Sequence, residues 1–186
     1  MASQLLPPIG SLASASDAVL METLDLLFEP SPAIHSTLLP VITTRTGNAF
    51  SSYSDLIQAC HAALLSLAPD SASAGPSATL LSVVGAHPRL GEKKVESAQS
   101  AAEQASLAGQ REQLAKLNRE YEERYPGLRY VVFVNGRDRQ EIMQDMRARI
   151  DGSTFAAEVR TALKAMCDIA NDRASKLATQ PRQSHG

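Results

Sequence analysis

The sequence predicts an all-α fold, a single-domain helical bundle with one short extended segment near residues 128–134. Three observations predict it. Apolar residues recur at steps of three and four through most of the chain. Only one stretch, PGLRYVVFVNG (126–136), reads as β-like, and a lone strand has nothing to pair with. No internal repeat divides the chain, and 186 residues suit one domain that buries a core without disulfides or metals.

Each element follows from its own pattern. Residues 1–16 are rich in Pro, Ser and Ala and are expected to form a loose arm ahead of a helical domain over 17–178, with 179–186 as a tail. SDAVLMETLDLLF supplies a Ser/Asp start and puts Val19, Leu20, Leu24, Leu26 and Leu27 on one face. SPAIHSTLLPVI sets Pro32 just inside a Ser cap, the position Pro favours at a helix start. SYSDLIQACHAALLSLA spaces Leu56, Ile57, Cys60, Leu64 and Leu67 helically, and PDSASAGPS (69–77) is a loop by composition. ATLLSVVGA leads into His87-Pro88, and an Ala- and Ser-rich helix runs on to Gly109. In QREQLAKLNREYEERY the inner stripe is Leu114, Leu117, Tyr121 and Tyr125. Pro-Gly and Asn-Gly bound the extended segment, after which Ile142, Met143, Met146 and Ile150 turn inward. The last helix, from about Thr154 to Ala178, carries Phe155, Val159, Leu163, Met166, Ile169, Ala170 and Leu177.

Composition excludes several classes. With 20% charged residues and a net charge of −2, the chain has no basic excess for nucleic acid and no acidic tail. Cys60 and Cys167 lie far apart inside apolar helical patterns and are expected to be buried reduced thiols, which suits an intracellular protein. No apolar run approaches the roughly 20 residues of a membrane span. The first residues lack the charged-then-apolar layout of a signal peptide. Ser175–Leu177 spells SKL, but residues follow it, so it does not stand as a C-terminal peroxisomal address; the expected compartment is intracellular, cytoplasmic or peroxisomal.

Three features carry chemistry. Ser100, Glu103 and Gln104 are three and four apart, on one face of a helix otherwise made of small residues. That face is either solvated or a buried polar group. Pro88 pushes His87 out of the helical region and displays its ring at a helix end. A histidine with an ordinary pKa near 6.5 moves protons at neutral pH, although a lone histidine is more often a hydrogen-bonded structural residue. Met166, Ile169, Arg173 and Leu177 step by three or four, which puts Arg173 on an apolar stripe. A guanidinium there either snorkels to the surface or meets an anion, from the protein or from a substrate carboxylate. No HxxxH, HExxH or CxxC spacing marks a metal site, and neither a phosphate loop nor a GxSxG elbow is present.

Three pieces in one order, HPRLGE (87–92), SAAEQASLAG (100–109) and LNREYEERY (117–125), resemble the 2-oxo-4-hydroxy-4-carboxy-5-ureidoimidazoline (OHCU) decarboxylases, and the closing IANDRASKL resembles that family's last helix. The match runs from about Asp17 to Leu177. The resemblance implies an all-helical, cofactor-free enzyme without a metal, a homodimer, that converts the ureidoimidazoline of urate breakdown to S-allantoin and CO2. Carried over residue by residue, it implies His87 and Glu103 as the catalytic pair. Pro88, Ser100, Gln104 and Arg173 become substrate contacts, and backbone groups of Tyr130, Val131 and Val132 become a wall against the ring amides. The spacer EKKVESAQ is shorter than in some members, and YPGLRYVVF replaces a more usual Phe-Gly-Phe-x-Phe run. Two other readings compete on the residues alone. One is a helical interaction module with Arg173 in a structural ion pair; the other is a metal hydrolase built on His87 with Glu92 or Glu96.

Overall fold

Helix follows helix in the order the apolar spacing predicts: α1 (Asp17–Leu27), α2 (Pro32–Thr43), α3 (Tyr53–Leu65), α4 (Ala78–Gly85), α5 (Ala98–Glu103), α6 (Arg111–Arg124), α7 (Arg139–Gly152) and α8 (Phe155–Leu177). The computed structural model describes residues 5–44, 50–69, 75–91, 98–103 and 111–178, the side chains of 102, 103 and 111 excepted. The fold is all-α, with no strand among the described residues.

The last helix is the axis. Val159, Ala162, Leu163, Met166, Ile169 and Ala170 of α8 are buried, and the Thr154 side chain caps its start by accepting from the Ala157 amide at 3.3 Å. α3 packs along α8 through Leu56, Ile57, Cys60 and Leu64. α1 packs on both α8 and α2, and α2 in turn on α3 and α4. Each fully buried Leu or Ile in these faces contributes about 1.5–3 kcal/mol relative to exposure. α6 and α7 pack against each other, and Asp138 and Glu141 close a reciprocal capping box at the start of α7. Cys60 and Cys167 are free and buried. Burial pushes both thiols up to about 12, which keeps them protonated and unreactive.

The segment 128–134 carries neither helix nor strand pairing, and two tight turns bracket it. The Leu128 amide donates to Tyr125 O at 3.0 Å around Pro126-Gly127, with Gly127 at φ +86°: a type II turn. A Cβ on Gly127 would also meet Leu81 at 2.9 Å. At the far end the Arg137 amide donates to Val134 O at 2.8 Å around Asn135 (φ 43°) and Gly136 (φ 70°), the paired positive angles of a type I′ turn.

Two expectations are corrected. Residues 5–15 are docked rather than loose. Leu6 and Leu12 are buried, the Leu6 amide donates to Leu177 O at 2.9 Å, and the Tyr53 hydroxyl donates to Pro7 O at 2.7 Å. Two well-spaced leucines suffice to anchor a stretch whose remaining residues are small or polar. In α1 the inward stripe is Leu20, Thr23, Leu24 and Leu27, while Val19 is exposed and Leu26 only partly buried. The helix is rotated so that the Thr23 hydroxyl, satisfied by Val19 O at 2.8 Å, can face inward.

Candidate active site

The turn that follows α4 is built to present one ring. α4 is capped at Ser77, whose side chain accepts from the Leu80 amide, and it ends as Pro88 predicts, with the His87 amide making a last 3.4 Å bond to Val84 O. Three side chains then hold the HPRLG turn in place, two of them by its backbone. Arg129 Nη1 donates to His87 O at 2.8 Å, and Asn118 Nδ2 donates to Leu90 O at 3.0 Å. Glu122 takes Arg89 in a fork, from Nε at 2.5 Å and Nη2 at 2.9 Å. Asn118 and Glu122 are one helical turn apart on α6. The LNREYEERY stretch is therefore the clamp of the HPRLG turn.

His87 so held is buried, and its Nε2 has no hydrogen-bond partner among the described residues. Burial, then the charges of Arg173 and Arg129, pull its pKa down to about 3, so the imidazole is neutral at neutral pH. Its Nδ1 lies 4.0 Å from Glu29 Oε1. A carboxylate on that side favours the tautomer with hydrogen on Nδ1, which leaves the Nε2 lone pair available to accept a proton.

Arg173 does not snorkel; it is 2% exposed. Its Nη1 donates to Phe28 O at 2.6 Å and more weakly to Leu27 O at 3.5 Å, covering the carbonyl end of α1, where a helix dipole favours a cation. Its Nη2 donates to Glu29 Oε1 at 2.8 Å and to Ser100 Oγ at 2.9 Å. Ser100 Oγ, buried on α5, donates onward to the same Glu29 oxygen at 2.5 Å. The structure thus gathers His87, Ser100 and Arg173, expected from the sequence, around a residue sequence reasoning missed. Glu29 lies in the link between α1 and α2, outside any helical period, so no pattern marks it. The one available signal was the demand of a buried Arg173 for an anion.

Other expected residues stand differently. Glu103 is one turn beyond Ser100 on α5, and its side chain lies outside the described residues, as does all of Gln104. Glu92 and Glu96, on which the metal reading leaned, also lie outside them, and no three His, Cys, Asp or Glu gather as a metal site among the described residues. Pro88 is half-buried beside His87. Tyr130 and Val131 are buried in an adjoining polar network. Arg149 stacks over the Tyr130 ring at 4.4 Å and donates to Val131 O at 3.2 Å and to the buried Glu158 at 2.7 Å. Tyr121 donates to Glu158 at 2.6 Å, and Tyr130 donates to Asp145. Val131 and Val132 also border a hollow of 330 Å³ with Arg137, Arg149 and Lys164, whose lining includes neither His87 nor Arg173. Arg129, the residue before Tyr130, is what ties this segment to the His87 turn.

A family model described as OHCU decarboxylase matches residues 13–175 of the chain. No curated protein matches it. Among solved structures, a crystal structure of (S)-allantoin synthase superposes with a TM-score of 0.59 at 19% identity, over 92% of this chain. The chain spans 54% of that protein's length, and the likeness is one of fold.

Proposed function

The chain belongs to the OHCU decarboxylase family, and from that premise we propose that it decarboxylates 2-oxo-4-hydroxy-4-carboxy-5-ureidoimidazoline to S-allantoin and CO2, as a cofactor-independent carboxy-lyase of urate degradation. The observation that carries this reading is His87. It is a buried, neutral imidazole whose Nε2 has no partner among the described residues, beside a cation and held by two backbone clamps and the Arg89–Glu122 fork.

The substrate supplies its own electron sink. As CO2 leaves, its bonding pair passes into the ring and onto the adjoining C=N, so neither pyridoxal nor thiamine is required. One proton from water replaces the carboxyl group overall. The former hydroxyl must also lose its proton, becoming the ring C=O, while the carbon bearing the ureido group gains one on a single face. Neutral His87 is suited to that exchange. Its Nε2 accepts the hydroxyl proton and the resulting imidazolium returns it to carbon, a general acid–base contribution of about 10²–10⁴ in rate.

In this proposal Glu103 orients His87 or engages the substrate hydroxyl, and Gln104 offers donor and acceptor to the ureido edge. Pro88 and Ser100 line the site, with backbone groups of Tyr130, Val131 and Val132 toward the ring amides. Both terminal nitrogens of Arg173 already meet protein acceptors, so it serves the substrate carboxylate by charge rather than as a waiting fork. That is compatible with turnover, because gripping the leaving carboxylate tightly would stabilise the ground state. A homodimer and an intracellular location, cytoplasmic or peroxisomal, belong to the same proposal. They are supported by the family resemblance and by the buried free thiols.

The test generates the unstable substrate in situ with urate oxidase and hydroxyisourate hydrolase and follows optical activity. Rapid appearance of S-allantoin is expected. Racemic allantoin forming at the spontaneous rate would overturn the reading.

A further inference from the structure

We propose that Glu29 is a positioning residue for His87: its carboxylate holds the Nδ1–H tautomer at rest and supports the imidazolium while the proton is in transit. The catalytic half of this inference rests on the decarboxylase reading; the tautomer half does not.

The geometry carries it. Glu29 sits between the end of α1 and the Ser31 cap of α2, buried to 4% exposure, where no helical register requires an acid. A single oxygen, Oε1, gathers groups from three separate elements. It meets Ser100 of α5 at 2.5 Å, Arg173 of α8 at 2.8 Å, and His87 Nδ1 after α4 at 4.0 Å. The first two contacts fix where the oxygen is. The third is too long for a hydrogen bond and acts through the field. A buried ion pair is weak support for stability compared with an apolar replacement, so the Glu29–Arg173 pair alone gives little reason for an acid here. Its placement beside His87 does. Arg173 and Arg129 both oppose a charge on the ring. Proton transfer through His87 would have to pass through a cation in that surrounding, and Glu29 is the anion set against Nδ1.

Removing the charge has a particular signature. In Glu29→Gln the shape of the hub is kept, the cationic field of Arg173 is no longer offset, and an anionic substrate is held at least as well. The imidazolium, by contrast, is left without support. A residue that only braces the fold would instead impair binding and turnover together.

The experiment compares wild type, Glu29→Gln and Glu29→Asp by ¹⁵N NMR of the His87 ring and by steady-state kinetics with substrate generated in situ. The Nδ1–H signature is expected in wild type, with a shift toward mixed tautomers in Glu29→Gln. For the same variant kcat is expected to fall about 30-fold or more with KM unchanged or lower, and Glu29→Asp, which keeps the charge, is expected to recover part of kcat. If Glu29→Gln does not fold, Glu29→Asp decides alone. A shortened carboxylate should keep the Nδ1–H signature and lower kcat without raising KM. Ring nitrogens unchanged in Glu29→Gln, or a raised KM at near-normal kcat in either variant, would overturn the proposal. A wild type with no decarboxylase activity would overturn the functional reading instead, and the NMR comparison would still decide whether Glu29 sets the tautomer.

Discussion

Arg129 Nη1 donates to the His87 carbonyl at 2.8 Å, so the residue at the head of the extended segment holds the backbone of the candidate catalytic histidine. Burial first, then Arg173 and this same guanidinium, keep His87 neutral. Position and protonation of the ring are therefore linked through one side chain.

Replacing Arg129 with Met separates those effects from substrate contact. The His87 carbonyl loses a charge-assisted donor, a cost of about 1–3 kcal/mol where no water replaces it. Loss of a nearby cation moves the His87 pKa upward, toward its ordinary value. Urea midpoints read the first effect, and NMR titration of the ring reads the second. An unmoved titration would show that Arg129 acts on the backbone alone.

His87→Asn is expected to abolish decarboxylation and leave the fold nearly untouched. Among the described residues Nε2 makes no hydrogen bond, and Nδ1 stands 4.0 Å from Glu29, so the substitution breaks no close polar contact of those atoms there. The activity loss should reach about 10²–10⁴, with stability changed by less than about 1 kcal/mol. Turnover within tenfold of wild type would remove His87 from the chemistry.

The same variant tests the protonation state through stability. His87 titrates near 3 when folded against 6.5 when unfolded. Above pH 6.5 both states are neutral and the group contributes nothing to the slope. As pH falls from 6.5 toward 3 the unfolded chain binds a proton that the folded chain does not, and stability is lost at about 1.4 kcal/mol per pH unit. Carboxylates titrate in the same range, so the informative quantity is the difference between wild type and His87→Asn. The wild-type curve should fall more steeply with acid; parallel curves would mean that His87 is not buried in its neutral form.

What the sequence could tell depended on whether a residue belonged to a period. The inward stripes of α3, α6 and α8 were legible because each buried residue predicts its neighbour three or four positions on, and Arg173 stood out by interrupting such a stripe. The turns at Pro126-Gly127 and Asn135-Gly136 were legible because few residues tolerate those backbone angles. Glu29 belongs to no period and acquires meaning only when α5, α8 and the turn after α4 converge on it. Leu6 and Leu12 were hidden for a related reason: their burial depends on a groove made by distant elements, while their own surroundings read as linker. The motif LNREYEERY was visible as a pattern, yet its role as the clamp on HPRLG required the distances from Asn118 and Glu122.

Arg173 gives the most demanding test, because its sequence-level readings predicted opposite outcomes and the structure favours one. A guanidinium waiting for a substrate could be removed with stability level or improved. Instead Arg173 is matched to Glu29, Ser100 and the carbonyls of Leu27 and Phe28. Arg173→Met should leave the Glu29 carboxylate stranded beside Ser100 and destabilise by about 3–5 kcal/mol, the cost of breaking a buried pair from one side. Glu29→Gln alone should cost less, because the amide oxygen still accepts from both Arg173 and Ser100. Once Arg173 is gone, neutralising Glu29 removes the stranded charge, so the double variant should be more stable than Arg173→Met alone. The two changes would then be non-additive by about 1–3 kcal/mol, measured as a double-mutant cycle in urea. Strict additivity would mean that the two side chains do not interact in solution. The cluster around His87 would then need a different electrostatic account.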